Sequence, residues 1–103
     1  MNREEALRTA SRFREALQAE KVPFDSMIVF GSAARDSMHD QSDIDIAVIG
    51  RPYKGNRMEE QHALSRIRRT VSFKIQPIWF YRKHLDDAYS TLAQEIKKDG
   101  IQV

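Results

Sequence analysis

Segments of helical period alternate with short β-prone runs along this chain, and that alternation admits little besides a layered α/β fold. Leu7, Ala10, Phe13 and Leu17 recur at helical spacing between Arg3 and Glu20, with charges between them. Pro23 ends this helix, because it has no N–H to donate and restricts Val22 before it. Ser26-Met27-Ile28-Val29-Phe30 is a β-prone run stopped by Gly31. A short helix over Ala33–Met38 and a polar loop through Ser42 lead to a second strand, Asp43–Ile49, closed by Gly50-Arg51-Pro52. Asn56-Arg57-Met58-Glu59 has the reach of a capping box and opens a helix to about Arg69, striped by Leu64, Ile67 and Val71. Val71–Phe80 reads as the third strand, with Pro77 confining it to a sheet edge or a bulge. Leu85, Ala88, Tyr89, Leu92 and Ile96 line a final helix that Gly100 caps. The expectation is one α/β (α+β) domain over residues 1–103. Its mixed sheet has three or four strands, the Asp43–Ile49 strand lies inside, and helices pack on one side.

Composition narrows the chemistry. The 103 residues suit one small domain, and 17 Lys and Arg against 15 Asp and Glu leave a formal charge of +2. Such a balance gives no argument for nucleic acid or a membrane as partner. With no cysteine, disulfide frameworks, thiolate zinc sites and cysteine nucleophiles are excluded. No apolar run approaches the roughly 20 residues of a membrane span, and Met1–Glu5 lacks the apolar core of a signal peptide, so a cytoplasmic protein is expected. His39, His62 and His84 have no metal-ligand spacing, and Gly50-Arg-Pro-Tyr-Lys-Gly55 lacks the Lys-Ser/Thr of a P-loop. Arg66, Arg68 and Arg69 read as a solvated helix face, and Trp79 and Phe80 as core or interface residues.

Chemistry concentrates at two places. On a strand, residues two apart share a face, so Asp43 and Asp45 project together while Ile44 points into the other layer. Two neighbouring carboxylates repel unless a cation compensates, and a hard divalent ion takes oxygen ligands. Taken alone, the spacing more often marks two aspartates that merely cap an exposed strand end. Gly31-Ser32 follows the first strand directly, where glycine permits a tight turn and close approach, and amides with the Ser32 hydroxyl can face phosphate oxygens. An isolated Gly-Ser is also an ordinary strand-to-helix turn with a serine cap.

Together they read Gly31-Ser32, ten residues, then Asp43-x-Asp45, flanked by Ile28-Val29-Phe30 and Ile46-Ala47-Val48-Ile49. This arrangement resembles the DNA polymerase beta-like nucleotidyltransferase superfamily, and the element order resembles its minimal nucleotidyltransferase members. The resemblance implies that Gly31 and Ser32 contact a triphosphate such as ATP, and that Asp43 and Asp45 bind one or two magnesium ions. It further implies a metal-dependent transfer of a nucleoside monophosphate to an acceptor hydroxyl.

The resemblance also implies a third carboxylate on the following strand, and there the chain has Gln76, just before Pro77. A glutamine carbonyl can accept a hydrogen bond or weakly ligate a metal, but cannot take a proton near neutral pH. Gln76 therefore joins Asp43 and Asp45 as a catalytic-site residue and opens a second reading, a degenerate protein-binding antitoxin. Small members resembling this chain pair with a helical HEPN-type toxin that can itself be adenylylated. Either such a partner or self-association is expected, with Phe73, Trp79, Phe80 and Tyr81 as contact candidates.

Overall fold

A computed structural model describes residues 2–35, 43–87 and 90–103. Helix α1 (Arg3–Ala19) starts where the Asn2 side chain accepts from the Glu5 N–H. It stops at Lys21, whose φ of 60° is left-handed, and Val22 N–H returns to Leu17 O at 3.0 Å. The helix is thus closed by its own C-terminal turn, two residues before Pro23. Strand β1 (Phe24–Phe30) runs into the single-turn α2 (Gly31–Ala34). Strand β2 (Ile44–Gly50), helix α3 (Arg57–Arg68) and strand β3 (Ile75–Phe80) follow. The chain then forms α4 (Arg82–Leu85), α5 (Thr91–Asp99) and the two-residue β4 (Ile101–Gln102).

The sheet is mixed, in the order β3-β2-β1-β4, and β2 is an inner strand as expected. β1 pairs antiparallel with β2 and β4, while β2 and β3 are parallel, joined through α3. Alternation along β2 sorts its side chains between two cores. Ile44, Ile46 and Val48 join Phe13 and Leu17 of α1 and Leu64 and Ile67 of α3. Ala47 and Ile49 join Phe30, Phe80 and Ile96 of α5 on the opposite face. The expectation of helices on one side is therefore corrected: α5 covers the second face. The reason is that β2 is apolar at both parities, and a strand buried on both faces needs a layer on each. Truncating a fully buried residue such as Phe13 costs about 3–5 kcal/mol.

Several boundaries also move. Residues 71–74 form turns instead of opening β3, and the final helix is divided into α4 and α5. Asp86 and Asp87 lie between those two helices. Ser42, Met38, His39, Ala88 and Tyr89, named from the sequence, lie outside the described residues. Trp79 is 0% exposed and Phe80 5%, so both belong to the core and cannot be contact residues, whereas Phe73 is 71% exposed.

β3 takes the sheet edge, and α3 closes it. Arg57 Nε donates to Trp79 O at 3.0 Å. Gln61 donates to Pro77 O and accepts from Trp79 N–H, both at 2.8 Å. Arg68 Nη1 donates to Phe73 O at 3.1 Å and to Ile75 O at 3.3 Å. Pro77 has no N–H to expose. Three helix side chains and a proline thus stand in for a further strand.

Candidate functional site

The geometry of the site begins at the end of β1. Phe30 pairs with Asp45 across the antiparallel ladder, so Gly31 leaves the sheet beside the Asp45 carboxylate. Gly31 has φ of +71°, a conformation L side chains rarely adopt, and a β-carbon there would overlap Asp45 Oδ2 and lie 3.4 Å from Cγ. The Gly-Ser turn and the second aspartate of Asp43-x-Asp45 are therefore in contact. Ser32 is half-buried in the first turn of α2, and Asp43 is exposed just before β2.

Asp45 is half-buried on the α5 face of the sheet. Its pKa is raised, first by burial, then by the charges of Asp43 and Glu95, with Arg35 acting in the opposite sense. A carboxylate held in this way is short of a cation. Oxygen donors and mutual repulsion fit a hard divalent ion of the magnesium type, which keeps waters and phosphate oxygens in its remaining shell. Among the described residues no group of three His, Cys, Asp or Glu is arranged to hold a metal ion, so Asp43 and Asp45 would supply only part of the shell.

On β3, Gln76 is the register partner of Asp45. Adjacent strands lie about 4.8 Å apart, and partners in a parallel pair present their side chains on the same face. Gln76 is exposed, between the buried Ile75 and Pro77. All five residues named from the sequence thus gather where β1 ends and β2 and β3 begin. Hollows on the outer surfaces of α1 (lined by Glu5, Arg8, Thr9 and Arg12) and α3 (lined by Arg57, Met58, Gln61 and His62) contain none of them.

Four charged residues carry structural contacts that escaped the sequence reading, three of them, Arg35, Glu95 and Asp99, on or beside α5 and one elsewhere. Arg35, the C-cap of α2, bridges to Glu95 Oε1 at 3.2 Å and to Asp99 Oδ2 at 3.9 Å. Arg35 and Glu95 are 60 positions apart, and no local pattern links them. Glu60, away from the site, is 0% exposed. It accepts from Tyr53 N–H at 2.5 Å, from Lys54 N–H at 3.0 Å and from the Tyr81 hydroxyl. Here a signal existed, since Glu60 shares the helical stripe of Leu64 and Ile67.

The comparisons with known proteins agree on the fold. A family model described as Polymerase beta, Nucleotidyltransferase matches residues 14–103. A solved structure, that of a candidate nucleotidyltransferase from Sulfolobus solfataricus, superposes with a TM-score of 0.71 at 21% identity, covering 97% of this chain and 80% of the other. No curated protein matches the sequence. Among the described residues, no helix is long and apolar enough to cross a membrane.

Proposed function

This chain belongs to the polymerase beta nucleotidyltransferase family, and we propose that it transfers a nucleoside monophosphate, AMP from ATP, to an acceptor hydroxyl. The observation that supports this reading best is the contact between Gly31 and the Asp45 carboxylate, which puts a phosphate-gripping turn against a metal-binding pair. Asp43 and Asp45 would hold magnesium, which when bound would supply positive charge against the phosphate oxygens, and Gly31 and Ser32 would hold and orient the triphosphate. The acceptor oxygen bonds to the α-phosphorus, the bond to the bridging oxygen breaks, and pyrophosphate leaves. Gln76, opposite Asp45 in register, accepts a hydrogen bond from the acceptor hydroxyl. It cannot remove the proton, which passes to solvent.

The acceptor in this reading is a hydroxyl on a partner protein of the helical HEPN type, in a cytoplasmic toxin–antitoxin pair. Gln76 favours a second reading, in which the domain keeps the fold and neutralises its partner by contact alone. Calorimetry of ATP with and without magnesium separates the two. The enzyme reading expects magnesium-dependent binding that Asp43→Asn and Asp45→Asn both abolish, together with transfer of labelled AMP to a co-purified protein. Equal nucleotide affinity in all three proteins, with or without metal, would leave the contact reading standing.

A further inference from the structure

α2 is a single turn, too short to be stable by itself, and its N-cap makes no side-chain hydrogen bond. Its C-terminal Arg35 is tied at both ends. The backbone N–H of Arg35 donates to Gly31 O at 3.1 Å, and the guanidinium reaches α5 at Glu95 and Asp99. Those two acids are four positions apart and share one face of α5, whose other side buries Ala93 and Ile96. Gly31 in turn lies against the Asp45 carboxylate. The charge of Arg35 is felt at Asp45 on β2 as well, and the structure pairs the guanidinium with the acids of α5.

We propose that Glu95, backed by Asp99, is a positioning residue that holds Arg35 on α5 and so keeps its guanidinium from closing onto Asp45 and Asp43. An arginine on those carboxylates would supply the positive charge meant for the metal and compete with it. Arg35 and Glu95 are 46% and 37% exposed, so their ion pair adds little to stability. Its value lies in where the charge is placed. This inference rests on the metal reading above.

The test titrates Mn2+ alone by calorimetry. Glu95→Asp keeps the charge but draws the carboxylate back by one methylene, and it should weaken Mn2+ binding about two- to fivefold. Glu95→Gln should do the same or more. Adding Arg35→Gln to Glu95→Asp should restore wild-type affinity, whereas a bracing role alone would make the double variant worse. Wild-type affinity in Glu95→Asp, or no recovery in the double variant, overturns the inference. Asp45→Asn is the control: if it binds Mn2+ like the wild type, the metal reading fails and this inference fails with it.

Discussion

Gly31 and Asp45 are fitted to one another: the carboxylate occupies the space that a side chain on residue 31 would fill. Two motif halves whose contacting residues stand 14 positions apart in sequence thereby become one surface. The contact also couples backbone conformation to site charge, because residue 31 must hold φ at +71° for it to form.

Gly31→Ala tests that coupling. The left-handed backbone costs an alanine about 1–2 kcal/mol, and the β-carbon must displace Asp45 as well. Urea unfolding should show a loss of about 1–3 kcal/mol. Mn2+ titration should show a greater proportional loss of affinity than another substitution of equal destabilisation, for example in α1.

Asp45→Asn should raise the melting temperature at neutral pH when no divalent metal is present. The folded-state pKa of Asp45 is raised above its ordinary 3.8, chiefly by burial and then by Asp43. The folded state thus binds this proton more tightly than the unfolded chain, and ionisation at higher pH opposes folding. That penalty declines as pH falls through the raised pKa and vanishes below 3.8. The advantage of the variant should therefore shrink towards acid pH. Magnesium should reverse the order by stabilising only the wild type. Identical melting curves at every pH, with and without metal, would count against it.

Gln76→Glu places a carboxylate beside Asp45 in the parallel register. General-base assistance commonly contributes about 10²–10⁴-fold in rate, so transfer of labelled AMP should rise visibly. The same change should lower stability without magnesium and regain it with the ion, as three neighbouring negative charges require. Unchanged transfer and unchanged melting would remove Gln76 from the site.

Glu60→Gln should destabilise the fold by about 2 kcal/mol, because charge-assisted hydrogen bonds to a buried acceptor are lost. Burial pushes the Glu60 pKa up, but bonds from Tyr81, Lys54 and Tyr53 outweigh it, and the net shift is downward. Its contribution is present above the ordinary 4.5 and is lost as pH falls through the lowered folded value. Wild type and variant should converge in acid, which denaturation across a pH series would show.

Gln61→Ala uncovers Pro77 O and Trp79 N–H on the edge of β3. Unpaired edge groups template strand addition, so sedimentation should detect concentration-dependent self-association beyond that of the wild type. A loss of about 1–3 kcal/mol should accompany it. A strictly monomeric variant would mean that Arg57 and Arg68 suffice as guards.

The sequence by itself determined the inner β2 strand, narrowed β3 to a sheet edge or a bulge, and marked Gly31-Ser32 and Asp43-x-Asp45 as candidate pieces of one site. These follow from local rules: alternation along a strand, proline's missing donor, and glycine's access to left-handed φ. The same rules placed Phe13, Leu17, Leu64 and Ile67 on buried stripes, as they are. Tertiary structure alone decided that α5 covers the second face, that β4 pairs with β1, and that Arg35 finds Glu95. It also decided that Gln76 stands opposite Asp45, since register is a relation between strands. A two-residue strand carries no periodicity, and an ion pair spanning 60 positions leaves no local trace. Both exist only because a packed sheet brings distant backbone together.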